Sequence, residues 1–231
     1  MTDTVPPPAD DPAIKAARRR AGQAIRDLSH AFIGRHAGVE QIEHLADVLE
    51  GITAELWPLD PRSRDQQQFR GSGHTGGYPQ GRFTHDFDDR PVSGHSSPWG
   101  LDLELHRHGD EIEALVTLGP AHEGAPNRSH GGVVAALFDD VFGFVLGVIE
   151  IPAFTGDLYV RYEAPVPLHR QLACRVRLDD RQGRKILLVG KLVDTESDQV
   201  VATATATFIA IDAELWAQLT AARPAPPDED A

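Results

Sequence analysis

Two adjacent carboxylates, Asp139 and Asp140, stand inside the run SHGGVVAALFDDVFGFVLGVI, where nearly every other side chain is small or apolar. An ionised carboxylate taken out of water is costly unless donors or solvent compensate it. Such a group is kept either where it caps a neighbouring element or where it moves protons. In the second case it can serve as a general base or attack a carbonyl carbon directly. Nine residues before Asp139, the triplet His130-Gly131-Gly132 opens the same run. The first amides of a helix are unpaired donors at the positive end of its dipole, and glycines let a ligand come close to them. This turn therefore suits a carbonyl oxygen gaining negative charge. Taken alone, a His and two Gly at such a turn can equally be a simple cap, and the residues themselves leave both readings open.

The run must be held by something. Stepping about 100° per residue, a helix over 131–149 gathers Val134, Leu137, Val141, Val145 and Val148 into a bulky seam. Gly132, Ala135, Asp139 and Gly143 fall on the opposite side, a stripe of small residues where another backbone can approach. Asp140 is turned away from that stripe, so only one of the two carboxylates faces a given cavity. A helix apolar almost all round belongs inside a protein, here wrapped by an antiparallel sheet. The flanking sequence supplies the strands. Leu101, Leu103 and Leu105 alternate with polar residues, and Ile112 to Leu118 follows a turn at Gly109. Leu172, Cys174, Val176 and Leu178 oppose Gln171, Arg175 and Arg177. Ile186 to Val193 follows the turn Asp180-Arg181-Gln182-Gly183. In VVATATATFIAI, Ala202, Ala204 and Ala206 oppose Thr203, Thr205 and Thr207, and the alanine face invites a helix. The pattern predicts an α+β domain over residues 92–212.

Upstream, Ile14, Ala17, Ala21, Ile25, Leu28 and Phe32 form one helical stripe, and Ile42, Leu45, Leu49, Ile52 and Leu56 form a second. The chain then divides into a disordered start (1–10), a helical hairpin (11–60), a Gly-rich loop (61–91), the α+β domain, and a short helix with a disordered tail (213–231). The stripes are too narrow to make a core alone, so the hairpin is expected to fold back over the domain or over a partner.

The chain has 231 residues with 22 Lys+Arg against 35 Asp+Glu, a formal net charge of −13, which speaks against nucleic acid as a partner. A lone Cys174 excludes an intramolecular disulfide framework. The N-terminus has no apolar signal region, and no stretch reads as a membrane span. A cytoplasmic protein without membrane, cofactor or metal is expected. His106 and His108 have ligand-like spacing but lack a third ligand and read as a solvated turn. Arg18, Arg19 and Arg20 read as a solvated helix face, and Trp57 and Trp99 as core or as walls of an apolar channel.

The segment EGAPNRSHGGVVAALFDDVFG, followed by FTGDLYVRYEAPVPL, resembles the hotdog-fold acyl-CoA thioesterases of the phenylacetyl-CoA thioesterase and mammalian thioesterase-superfamily type. Their pattern is HGG, an Asp nine residues after the His, a Thr or Ser sixteen further on, then L-x-x-x-Y-x-x-P. This chain has His130, Asp139, Thr155, Leu158, Tyr162 and Pro165 at those places. The resemblance implies a hotdog fold, a sheet wrapped around the long helix, and a thioester site formed between two subunits of a homodimer or homotetramer. It implies that Gly131 offers an oxyanion amide within the His130-Gly131-Gly132 turn, that Asp139 is base or nucleophile, and that Thr155 assists. Gly132 lets the substrate approach. Arg184 and Lys185 are candidates for the phosphates of coenzyme A, with Arg161 and Arg170 weaker ones. The expected activity is hydrolysis of an acyl-CoA to a carboxylic acid and free CoA, with a non-catalytic acyl-CoA binding or sensing module as the alternative. Hotdog hydratases need a His five residues after the helix Asp, and here Phe144 and Val145 occupy that place. Some relatives carry an Asn six residues before the HGG histidine, where this chain has Gly124; Asn127 lies three before it.

Overall fold

The computed structural model describes residues 11–60 and 77–212, together with Glu214. The expected disordered start, most of the Gly-rich loop and the tail lie outside the described residues. Among the described residues, three α-helices, α1 (Pro12–Gly34), α2 (Val39–Leu56) and α3 (Gly131–Val148), and a short 3-10 turn (Pro120–His122) accompany nine strands. The strands are β1 (Gly81–Phe83), β2 (Glu104–His108), β3 (Glu111–Thr117), β4 (Glu123–Ala125), β5 (Arg128–Ser129), β6 (Ala153–Tyr162), β7 (Gln171–Gln182), β8 (Lys185–Asp194) and β9 (Gln199–Ala210). Seven strands form one sheet in the order β1-β2-β3-β7-β8-β9-β6, every neighbour antiparallel, and β4 and β5 pair separately.

Hairpin turns set this order. Gly109 and Gly183 take positive φ, +64° and +62°, at the β2–β3 and β7–β8 corners. Because β7 runs on to Gln182, the second corner is tighter than the expected turn from Asp180, and Asp180 and Arg181 belong to the strand. Likewise β2 starts only at Glu104, although Leu101 and Leu105 are both buried.

Helix α3 lies against the sheet with Val134, Leu137, Phe138, Val141, Phe142, Phe144 and Val145 buried. By length and a mean hydropathy of 1.8 it could cross a bilayer. Here those side chains are instead the core. The face of Ala202, Ala204 and Ala206 is buried in the same core, with Phe142 meeting Phe208 of β9 edge-on. Helix α3 packs against β7, β3 and β6. Gly190 of β8 makes room for Phe138, since a Cβ there would stand 3.2 Å from the Phe138 ring and 2.8 Å from Val176.

Residues 77–103 cover a further side of α3 and are not the featureless loop the composition suggests. Strand β1 pairs with β2 there, and Tyr78 stacks on Phe83 at 4.5 Å while both meet Phe144. Periodicity fails to show this because the contacts are made by isolated aromatics between glycines.

The N-terminal helices also depart from expectation. Asp11 caps α1 by accepting the Ala13 amide at 2.8 Å, with Pro12 in the first turn. The docked face of α1 is polar, not its apolar stripe. Gly22 sits so close to the Ser96 backbone that a Cβ would fall 2.6 Å from its carbonyl oxygen. Buried Arg26 donates to the Ser97 carbonyl at 2.6 Å and the His95 carbonyl at 3.2 Å, and pairs with Asp102 at 2.9 Å. Arg18 and Arg19, expected to be solvated, pair with Asp89 and Asp88 at 3.2 and 2.9 Å. Ile25 and Phe32 are left exposed, and α2 buries none of its residues.

Candidate active site

The start of α3 is built by one histidine. His130 is extended, and its Nδ1 accepts the Gly132 amide at 2.9 Å. Its carbonyl accepts the Val133 and Val134 amides at 3.0 and 3.4 Å. Among the described residues this leaves the Gly131 N–H as the first-turn amide without a partner. Tyr162 of β6 donates its hydroxyl to the Gly131 carbonyl at 2.6 Å, and a Cβ on Gly131 would stand 2.9 Å from the Tyr162 oxygen. Burial pushes the Tyr162 hydroxyl above its ordinary range, keeping it a donor. Gly131 and Tyr162 line an open cleft of about 460 Å³ with Arg128, Ser129 and residues 163–166.

Two turns along the helix, Asp139 is reached from the last strand to join the sheet. Thr155 of β6 donates its hydroxyl to Asp139 Oδ1 at 2.8 Å. The register of β6 against β9 shifts between Thr155 and Asp157, a bulge that re-aims the side chain. Asp139 is partly exposed on the small-residue stripe.

Asp140 turns the other way, toward Arg90 and Ser93 of the covering segment. Burial raises its pKa above the usual carboxylate range, opposed by the Arg90 charge and by Ser93. By geometry, neither Asp140 Oδ2 nor Ser93 Oγ has a hydrogen-bond partner among the described residues. Arg90 itself lies over the Phe87 ring at 3.9 Å. Asp140 is thus a carboxylate held in the seam between α3 and the covering segment.

Arg184 and Lys185 stand at the β7–β8 corner. Lys185 pairs with Ile209 and Ile209 with Phe154, so the corner lies two strand spacings, about 10 Å, from the residue preceding Thr155. Arg184 donates Nε to the Ala210 carbonyl at 3.0 Å. The weaker cation candidates are engaged elsewhere: Arg161 with Glu163 at 3.0 Å, and Arg170 with Asp194 and Glu196, both at 2.9 Å. His106 and His108 face Glu104 and Glu113 at 2.8 and 3.7 Å. Asn127 takes a positive φ of 60° in the β4–β5 turn and gives its amide to the Glu123 carboxylate. At Gly124 a Cβ would meet His130 Cα at 2.7 Å, so a longer side chain cannot stand there. Spacing alone singled out neither Arg90 and Ser93, which face Asp140, nor His30 and His122 beside the α3 start, because each is isolated in sequence from the residues it meets.

No family model matches the chain. Acyl-coenzyme A thioesterase THEM4 of Bos taurus is 27% identical over 134 residues, 57% of this chain and 52% of the relative. THEM4 of Mus musculus is 29% identical over 137 residues, 58% of this chain and 55% of the relative. The chain spans about half the length of these curated relatives. The crystal structure of a thioesterase superfamily protein superposes with a TM-score of 0.69 at 26% identity, covering 83% of this chain and 94% of the other. The chain has the hotdog fold of the thioesterase superfamily. In hotdog terms, α3 is the filling, the seven-stranded sheet wraps it, and the Gly131 turn, Asp139 and Thr155 all lie on the filling or on the strand beside it. Helix rise places Asp139 about 12 Å beyond Gly131 along the α3 axis, eight residues on. Along one chain the Gly131 amide and the Asp139 carboxylate thus stand two turns apart.

Proposed function

We propose that this protein hydrolyses an acyl-CoA thioester to a carboxylic acid and free CoA, at a site completed by a second copy of the chain. The observation that carries the reading is the Thr155–Asp139 hydrogen bond of 2.8 Å on the small-residue face of α3, in a fold whose first-turn amide at Gly131 is open. The thioester carbonyl oxygen sits against the Gly131 N–H of one copy. Asp139 of the other copy draws a proton from water, and the oxygen of that water forms a bond to the carbonyl carbon. The tetrahedral oxyanion is held by the amide until it collapses, breaking the C–S bond, and the departing thiolate takes up the proton. Thr155 gives its hydroxyl hydrogen to Asp139, so one carboxylate oxygen is fixed while the other faces water.

The two-turn separation is the reason for a homo-oligomer, and Arg184 with Lys185 are assigned to the CoA phosphates as cations at the same end of the sheet as Thr155. The protein works in the reducing cytoplasm, where Cys174 stays a thiol. The test is release of free CoA from short-chain, long-chain and aromatic acyl-CoA esters, alongside sedimentation. Turnover by a stable monomer overturns the shared site. Tight binding without turnover of any ester transfers the reading to a non-catalytic acyl-CoA binding module.

A further inference from the structure

We propose that Tyr162 is a positioning residue for the hydrolysis: its hydroxyl, bonded to the Gly131 carbonyl, sets the direction in which the Gly131 N–H meets the thioester oxygen. This rests on the thioesterase reading above and adds a residue to its site.

The Gly131 N–H has to stay open to the substrate, yet a glycine has no side chain to restrict its own backbone torsions. Neighbouring groups restrict them instead. The peptide on the amino side of Gly131 is fixed by the helix, because the His130 carbonyl accepts the Val133 and Val134 amides at 3.0 and 3.4 Å. The peptide on its carboxyl side is held at both ends by side chains. The Gly132 N–H goes to His130 Nδ1 at 2.9 Å, and the Gly131 oxygen takes the Tyr162 hydroxyl at 2.6 Å. An α-helix brings that carbonyl one amide, four residues on, and a carbonyl has two lone pairs, so the tyrosine adds to the helix bond and does not replace it. Of the side chains that hold this peptide, Tyr162 is the one supplied by the sheet. It is the last residue of β6, the strand that also carries Thr155. One strand thus aims both ends of the site, Thr155 at Asp139 and Tyr162 at Gly131.

The glycine and the tyrosine require each other. A Cβ on Gly131 would stand 2.9 Å from the Tyr162 oxygen and 3.2 Å from its ring carbon Cζ. The bare Cα lets the hydroxyl reach the carbonyl, and the hydroxyl restores the order that the missing side chain gives up. The geometry also separates chemistry from binding. Tyr162 and Gly131 line the same open cleft, so a substrate lying there meets the ring with or without its hydroxyl, which is engaged by the Gly131 carbonyl. A bond from the Gly131 amide strengthens as charge develops on the oxygen, and it does so only if the N–H is already aimed. Loss of the hydroxyl therefore falls on kcat.

The test uses the full chain and the acyl-CoA ester that it turns over fastest. Tyr162→Phe is expected to lower kcat roughly tenfold, with KM within about twofold of the wild type and the melting temperature unchanged. Tyr159→Phe, at an exposed tyrosine of the same strand, is expected to behave as the wild type. Gly131→Ala lowers kcat by a smaller factor in the Tyr162→Phe background than in the wild type, because the oxygen that its Cβ meets is gone. An unchanged kcat in Tyr162→Phe overturns the proposal, as does a raised KM with kcat kept, or a loss of activity that goes with a lowered melting temperature. An equal fall in Tyr159→Phe, or strict additivity of Gly131→Ala and Tyr162→Phe, also overturns it. If the wild type releases CoA from no ester, the hydrolysis reading falls and binding decides alone, by the calorimetric Kd of butyryl-CoA against S-butyl-CoA, the thioether that lacks the carbonyl. A wild-type preference for the ester that Tyr162→Phe abolishes upholds the aimed N–H, and a preference that is absent or unchanged sinks it.

Discussion

Asp139→Asn keeps the size of the side chain and an oxygen that can accept from Thr155, while removing the basic carboxylate. Loss of a positioned base costs at least ~100-fold in kcat, close to 3 kcal/mol of barrier. Thr155→Ala removes a 2.8 Å hydrogen bond to that carboxylate. A bond to a charged acceptor contributes about 1.5–3 kcal/mol when buried; this one is exposed, so roughly 1 kcal/mol, or five- to tenfold, is expected. The two effects are not independent. If Thr155 acts by orienting a basic Asp139, then Thr155→Ala made in the Asp139→Asn background costs less than about twofold. The assay is initial-rate release of CoA thiol, followed with a thiol-reactive dye, on all four corners of the cycle after thermal melts show each variant folded. Full turnover by Asp139→Asn with loss in Asp140→Asn refutes the assignment of the carboxylates. Strict additivity of Asp139→Asn and Thr155→Ala refutes their coupling.

Three further outcomes concern stability and pH. Burial raises the Asp140 pKa, so this carboxyl favours the folded state below the ordinary carboxylate range and opposes it as pH rises through the raised value. Asp140→Asn is therefore expected to raise the melting temperature near pH ~7 more than near pH ~4, while most hydrolysis remains. His85, 6% exposed, is held down to about 3, first by burial and next by the Arg90 charge. Stability that depends on neutral His85 is present above about pH 6.5 and lost below it at up to ~1.4 kcal/mol per unit, or about 2 kcal/mol at pH ~5. Denaturant titrations across that window should show the slope in the wild type and a shallower one in His85→Asn, and equal slopes reject the account. Arg26→Leu leaves the Ser97 carbonyl without its donor, while the largely exposed Asp102 returns to water, and is expected to cost about 1–3 kcal/mol, read as a lowered melting temperature; no shift means that α1 is held by other contacts.

A long helix laid against an antiparallel sheet was legible because two periodicities survive in the sequence, alternation in β7, β8 and β9 and an unbroken apolar helix between turn signals; the hotdog fold itself came from the resemblance. The HGG-to-Asp spacing and Thr155 were legible only by resemblance, since a Thr sixteen residues from an Asp means nothing until a strand returns beside the helix. The side of α1 that docks was misread because hydrophobic patterning assumes apolar contact. Here Gly22 brings backbone to backbone, and an arginine fills what a leucine would otherwise fill. Residues 77–91 were misread for a related reason. Tyr78, Phe83 and His85 are spaced by turns, so they carry no period although each lands in the core.

Helix α2 buries nothing, yet exposes Ile42, Val48, Leu49, Ile52, Leu56 and, just past its end, Trp57 at 87%. Its ionisable side chains are Glu40, Glu43, Asp47, Glu50 and Glu55 with His44, and no lysine or arginine. Eighteen residues standing alone are marginal as a helix in water, so in a dilute, uncovered chain the α2 amides exchange with solvent almost as fast as those of a peptide. Any surface that settles on the stripe slows them first, long before the strands of the sheet respond. Deuterium uptake over residues 39–56, measured as protein concentration is raised, is therefore a gauge of association that needs neither substrate nor activity.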